Sequence, residues 1–179
     1  MKYLGLDIDG IVADTDKTLR NYLHKLYGYN LKQSDITSFY YEECSWFEKG
    51  KMDDFWKRFN EDDGWLKIDL VDDVQDALNT LSGKFAFVLI SSRPAFLQDV
   101  TEKWLIEKKI PFNNLIVTEQ KSKSEIITDN KFDVQYFVED RHDFALDIAE
   151  SNINVFLYDY PWNQDDTLHK NIKRVYSWE

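Results

Sequence analysis

The sequence predicts an α/β fold, in which a parallel sheet is sandwiched by helices and a small helical segment is inserted after the first strand. Three observations carry this. Short apolar runs suited to buried strands alternate with helix-like stretches through most of the chain. The longest of them, Phe85 to Ile90, is continuously apolar, as a strand covered on both faces should be. Residues 15 to 69 break the alternation and contain no convincing strand.

The first strand is the run from Tyr3 to Ile8, where Leu4, Leu6 and Ile8 recur with Tyr3 and Gly5 between them. Further strands are expected over Lys84–Ile90, Asn114–Thr118, Val134–Val138 and Asn154–Tyr158, with a late edge strand over Lys173–Tyr176. Helices are expected over Val71–Leu81, Ala95–Lys108, Lys123–Asp129 and Asp143–Ser151. Leu97, Val100, Trp104 and Leu105 fall on one apolar helical face. Such alternation argues for a parallel sheet with right-handed crossovers, which bring every strand's carboxyl end to one edge. Within the interruption, Thr18–Tyr27 and Met52–Asn60 read as amphipathic helices, so the chain divides into a core of 1–14 and 70–179 and a helical insertion of 15–69. The insertion is rich in aromatics; most serve as the core of a small bundle, and some are candidates to stack on a substrate ring.

A chain of 179 residues, 43% hydrophobic and 16% aromatic, can bury a sizeable core. Its formal charge of −11 disfavours polyanions, which argues against a nucleic-acid polymer as partner. A small phosphorylated substrate stays compatible if local Lys, Arg or a divalent cation inverts the field. Cys44 is the only cysteine, so neither an internal disulfide nor a Cys-rich zinc site can form. No apolar run is long enough to span a bilayer, and the first strand begins too early to leave room for a signal peptide. A soluble cytoplasmic protein, away from membranes, is expected.

In a doubly wound sheet, ligands bind beyond the carboxyl ends of the strands. The strand ends read, in order, Asp7-Ile8-Asp9-Gly10, then Ser91-Ser92-Arg93-Pro94, then Glu119 to Glu125 with Lys121 and Lys123, then Glu139-Asp140-Arg141-His142-Asp143. Residues two apart in a strand share a face, so Asp7 and Asp9 are expected to point the same way. Clustered carboxylates are costly without a cation or a reaction to serve. Asp7, Asp9 and Asp140 supply hard oxygens suited to Mg2+. Ser91 offers a hydroxyl, and Lys123 a compact charge able to hold a phosphate. One carboxylate could attack phosphorus, and a second, two residues on, could protonate the leaving alkoxide and then deprotonate water.

The motifs Asp7-Ile8-Asp9-Gly10-Ile11-Val12-Ala13-Asp14, Leu89-Ile90-Ser91-Ser92-Arg93-Pro94, Lys123 and Val138-Glu139-Asp140 resemble, in order and spacing, those of the haloacid dehalogenase superfamily of Mg2+-dependent phosphatases. The resemblance implies a Rossmann-like core with the insertion as a type-1 cap. It further implies Asp7 as nucleophile and Asp9 as general acid/base. Mg2+ would be held by Asp7, the Asp9 carbonyl and Asp140. Ser91 and Lys123 would grip the phosphoryl group, aided by Ser92 and Arg93, and Glu139 would orient a metal-bound water. Asp-Gly-Ile-Val-Ala-Asp, the Ser-Arg-Pro ending, the short chain and Tyr160-Pro161-Trp162-Asn163 look like the 5'(3')-deoxyribonucleotidase group, whose members dephosphorylate nucleoside monophosphates. Ser91 stands where threonine is commoner, and Trp162 where a smaller tyrosine is expected.

Other readings apply to several of these residues. A calcium loop is excluded for Asp7 and Asp9 because the Asp-x-Asp-x-Asp-Gly spacing and distal Glu are missing. Asp14 and Asp143 read better as helix caps than as ligands, Arg93 as a phosphate grip or a loop anchor, and Lys123 as a better phosphate ligand than Lys121. His24, His142 and His169 form no metal pattern, and Cys44 reads as a buried insertion residue. The functional alternatives are a phosphatase for another small metabolite, or a phosphonatase using one of Lys25, Lys32, Lys49, Lys51 and Lys57 as an imine-forming base. Another is a non-catalytic phospho-acceptor module. That last class carries its acidic pair and its acceptor on different strands, unlike Asp7 and Asp9 here.

Overall fold

In the computed structural model, which describes residues 1–48, 50–119, 121–164 and 169–179, the apolar runs pair into one sheet. Its strands are β1 (Tyr3–Leu6), β2 (Ala86–Ser91), β3 (Asn114–Val117), β4 (Val134–Glu139), β5 (Asn154–Tyr158) and β6 (Ile172–Val175). All neighbours are parallel, in the order β3-β2-β1-β4-β5-β6. The helices are α1 (Thr15–Tyr27), α2 (Lys51–Glu61), α3 (Val74–Leu81), α4 (Gln98–Glu107), α5 (Lys123–Asp129) and α6 (His142–Glu150). Lys49 and Gln120, both part of the sequence reading, lie outside the described residues.

The two-residue period of the strands sorts the core into two layers. Leu4, Leu6, Phe87, Leu89 and Val138 pack with Val74, Leu78, Trp104 and Leu105. The alternate positions Val88, Ile90, Phe137, Val155 and Leu157 pack with Ile127, Ala145, Ile148 and Ala149. Every residue of β2 is buried, in keeping with its unbroken apolar run. Trp104, fully buried, donates its indole N–H to the Ile68 carbonyl at 2.9 Å, tying α4 to the chain that re-enters the core.

Residues 15–69 leave and return at one place. Asp14 N–H donates to the Asp69 carbonyl at 2.8 Å, Val71 N–H to the Val12 carbonyl at 3.0 Å, and Ala13 bridges Leu70. Asp14 caps α1, its carboxylate accepting from Lys17 N–H at 3.2 Å. Phe55 and Phe59 of α2 are buried and take Tyr22 of α1 edge-on, so these aromatics form the segment's own core. Cys44 is buried there as well. Among the described residues, no helix is long and apolar enough to cross a membrane.

Strand β1 is crossed closely by its neighbour. Gly5 pairs with Phe137, and a methyl group on Gly5 would overlap the Phe137 ring. Gly5→Ala should therefore cost about 1–3 kcal/mol through overpacking, and lower the thermal midpoint by about 2–4 °C per kcal/mol. Calorimetric melting checks this. The Gly5→Ala, Phe137→Leu pair should lose less than the sum of its single losses, because the smaller side chain makes room.

Candidate active site

Strands β1 and β4 are neighbours whose following connections lead to opposite edges of the sheet, which opens a crevice at their carboxyl ends. Asp7 follows β1 and continues its ladder by one bond, N–H to the Val138 carbonyl at 3.0 Å. Glu139 ends β4 and Asp140 follows it. Lys123 opens α5, and its fully buried ammonium reaches both strand ends, 2.8 Å from Asp7 Oδ1 and 2.6 Å from Glu139 Oε2. Glu139 Oε1 accepts the backbone N–H groups of Asp140 and Arg141, each at 3.1 Å. Both Glu139 oxygens are thus used, which fixes the turn that presents Asp140.

Lys123 is positioned from both sides by one carboxylate. Asp147 of α6 accepts from the Ser122 hydroxyl at 3.0 Å, from Ser124 N–H at 3.1 Å and from the Ser124 hydroxyl at 2.8 Å. Ser122 in turn caps α5 through Glu125 N–H at 3.1 Å. Lys121, the competing lysine, is exposed.

Asp140 is held by the turn at Pro161–Asn163. The Trp162 indole N–H donates to Asp140 Oδ2 at 3.0 Å, and the Asn163 amide donates to the Asp140 carbonyl at 2.6 Å. Asp140 Oδ1 is buried and has no hydrogen-bond partner among the described residues. Gly10 adopts a φ of 78°, and a side chain there would collide with Asp140 Oδ2, so glycine is required on both counts.

Asp9 faces a different cation. Arg93 clasps it with Nε at 2.8 Å and Nη2 at 2.7 Å, and the Thr15 hydroxyl donates to it at 2.5 Å. Arg93 Nη1 donates to Thr101 at 3.0 Å, and its guanidinium lies 4.8 Å from the Trp65 ring centre. The Ser91 hydroxyl is buried and accepts Arg93 N–H at 3.2 Å. Asp7 and Asp9 lie close enough for the Asp9 charge to add to the upward push on Asp7, yet each carboxylate has its own cation. The β1 ladder runs one bond past Leu6, the chain then turns through Ile8–Ala13, and Asp7 pairs with Lys123 while Asp9 pairs with Arg93.

These placements set the protonation states. Burial pushes the Asp7 carboxyl up to about 7, against the pull of Lys123 and with the push of Glu139. Burial also raises Asp140 well above the usual carboxylate range, reinforced by Glu139 and Asp7. Burial would raise Asp9 too, but the Arg93 guanidinium, the Thr15 hydroxyl and Lys123 together outweigh it and hold Asp9 below its ordinary value. Lys123 loses stability as a cation through burial, yet Asp7 and Glu139 more than restore it.

Asp7, Glu139 and Asp140 each offer a carboxylate oxygen within 4.8 Å of one another. The donors fit a hard divalent cation, and the unpartnered Asp140 Oδ1 is the oxygen left open to one. A cavity of about 470 Å3 opens beside this group. Asp9, Gly10, Ser92, Arg93, Asp140 and Trp162 form its polar end, and Phe39, Tyr40, Tyr41, Trp56, Trp65 and Phe96 its aromatic walls. Asp7, Ser91 and Lys123 are buried and do not line it.

Some residues differ from the sequence reading. Asp143 lies in the first turn of α6 rather than at its cap, where it pairs with Arg141 at 2.5 Å. Phe55 and Phe59 belong to the bundle core, Tyr40 to the cavity wall, and Tyr41, Trp56 and Trp65 serve both, lining the cavity while packing on the core. Asp147, Thr15 and Thr101 escaped sequence reasoning altogether, and Asn163 entered it only within the Tyr160-Pro161-Trp162-Asn163 motif, without a role. Only Ser122 and Ser124, two residues apart at a helix start, signalled that a partner was needed.

The sequence matches the family described as 5' nucleotidase, deoxy (pyrimidine), cytosolic type C across residues 1–179. A Halalkalibacterium halodurans protein, provisionally named nucleotidase BH1399, is 29% identical over 180 residues, covering 99% of this chain and 89% of its own. Nucleotidase CA_C3379 of Clostridium acetobutylicum is 23% identical over 178 residues, covering 97% of this chain and 88% of its own. Among solved structures, the HAD-superfamily hydrolase GSU2069 of Geobacter sulfurreducens has a TM-score of 0.66 at 14% identity, covering 99% of this chain and 93% of its own. At that identity the likeness is one of fold. With a haloacid-dehalogenase-like parallel sheet, acidic groups at its crevice and a family match over its whole length, this chain is a phosphatase enzyme and belongs to the 5' nucleotidase, deoxy (pyrimidine), cytosolic type C family.

Proposed function

We propose that the chain is a Mg2+-dependent 5'(3')-deoxyribonucleotidase of the cytoplasm that dephosphorylates nucleoside monophosphates through an aspartyl-phosphate on Asp7. In this reading residues 15–69 act as a cap on a core of 1–14 and 70–179. The observation that carries it is the juxtaposition of the Asp7–Lys123–Glu139 ion group and the open Asp140 oxygen with an aromatic cavity large enough for a nucleoside.

In this reading each residue takes a role that its contacts support. An Asp7 carboxylate oxygen attacks phosphorus and the ester P–O bond breaks; Asp9, in its protonated form, supplies the proton to the leaving alkoxide. In the second half Asp9, as carboxylate, takes a proton from water, which attacks the phosphoryl group and frees Asp7 with release of inorganic phosphate. The Arg93 clasp favours the carboxylate form of Asp9, which the second half uses, whereas the first half requires its protonated form. Lys123 orients Asp7 and screens the approach of a phosphate, with Ser91 and Ser92 as neutral donors. Asp7, the Asp9 carbonyl and Asp140 would hold Mg2+, which when bound offsets the charge gathered at phosphorus. Glu139 keeps the Asp140 turn and the Lys123 ammonium in place. Among the described residues no lysine lines the cavity, and Lys25 and Lys51 pair with Asp62 and Glu48, which favours phosphomonoesters over phosphonates.

Asp7→Asn should abolish phosphate release, whereas Asp9→Asn should lower kcat by about 10²–10⁴ and keep Mg2+ binding. Malachite-green kinetics and metal titration of both variants decide this, and full activity of Asp7→Asn would refute the nucleophile assignment. Tyr40→Ala and Trp56→Ala should raise KM for deoxynucleoside monophosphates about 5- to 150-fold, the worth of a stacked base, and leave p-nitrophenyl phosphate unaffected. Equal effects on both substrates would count against stacking. Because burial raises Asp7 to about 7, a cation must displace a proton at and below neutral pH. Mg2+ affinity should therefore weaken as pH falls from 8 to 6, read by calorimetry in buffers of different ionisation enthalpy.

A further inference from the structure

The two oxygens of Asp140 have unlike surroundings. Oδ2 accepts the Trp162 indole N–H at 3.0 Å and lies so near Gly10 that a methyl group there would strike it. Oδ1 is buried and unpartnered among the described residues. The indole is firmly placed. Its ring lies 4.2 Å from that of Tyr160 at an interplanar angle of 7°, and Tyr160 stacks on Tyr158 at 5.3 Å. The Tyr160 hydroxyl donates to the Gly10 carbonyl at 2.8 Å, so one residue braces both groups that border Oδ2. Asn163, the next residue, grips the Asp140 carbonyl at 2.6 Å and is itself held by Arg174 at 2.7 Å.

We propose that Trp162 is a specificity-determining residue of the metal site: by occupying Oδ2 it restricts Asp140 to ligation through Oδ1 alone, and so favours Mg2+ over Ca2+. This rests on the reading of Asp140 as a metal ligand. Mg2+ takes six ligands at about 2.0–2.1 Å and uses single carboxylate oxygens, whereas Ca2+ takes six to eight at about 2.3–2.6 Å and readily engages both oxygens of one carboxylate. For Asp140 to offer both, Oδ2 must share its lone pairs between the indole N–H and the cation or give up the hydrogen bond, and the carboxylate must turn so that both oxygens face one ion. Each change is opposed by the Tyr158–Tyr160–Trp162 stack. Trp162 acts through Asp140, as groups behind a ligand commonly do in setting metal preference.

The test is titration calorimetry of metal-stripped protein with MgCl2 and with CaCl2, in the absence of substrate. Three forms are compared: wild type, Trp162→Phe, and protein carrying benzothienylalanine at 162, an isostere that removes only the N–H and so preserves the stack if the Phe variant folds poorly. The wild type should bind Mg2+ more tightly than Ca2+, and loss of the N–H should lower the Mg2+/Ca2+ affinity ratio about tenfold or more. If both metals weaken alike, or the ratio stays within about twofold, Trp162 has only a structural role and this inference is overturned while the metal reading stands. A wild type that binds Ca2+ as tightly as Mg2+ overturns it as well. If the wild type binds no Mg2+, the metal reading itself falls and takes the inference with it.

Discussion

A fully buried ammonium shared between two carboxylates holds this molecule's working end together. Lys123 meets Asp7 and Glu139 at once, and these three residues belong to the end of β1, the end of β4 and the start of α5. Ions removed from water cost several kcal/mol each, and the cost is met only when every member is paired and hydrogen-bonded. Here Glu139 gives its second oxygen to two backbone N–H groups, and Asp147 fixes the residues on either side of Lys123. Taking away any one partner would strand a buried charge, so the crevice cannot relax without losing its chemistry.

The sheet order makes that meeting possible. Only because β4 lies beside β1, far from it in sequence, do Asp7 and Glu139 come within reach of one lysine. The Asp9–Arg93 pair is a parallel device on the other side, joining the turn after β1 to the turn after β2. Its guanidinium also rests on Trp65, so the aromatic cavity and the second carboxylate share a boundary.

Much of this was legible in the sequence. The continuous apolar run ending at Ile90 could be little else than a doubly covered strand, and Lys123–Asp129 was bounded by its own polar and apolar spacing. The strand-end rule then gathered Asp7, Ser91, Lys123, Glu139 and Asp140 without any knowledge of distances. Side-chain partnerships between remote segments were not legible. Arg93 and Asp9 are 84 positions apart, and nothing local marks which carboxylate a guanidinium will choose. Asp143 was misread because a carboxylate at a helix start serves equally well in the first turn, and the neighbouring Arg141 decided the matter.

The pairing of Trp56 with Trp65, parallel to within 1° at 5.7 Å, bears on how this protein can be observed. Indoles at that separation couple their electronic transitions, and the resulting circular-dichroism signal depends on their mutual orientation. Both rings belong to the cavity wall, and one of them touches the arginine that clasps Asp9. A ligand that rotated either ring would therefore change that signal, without a label and before any bond is broken.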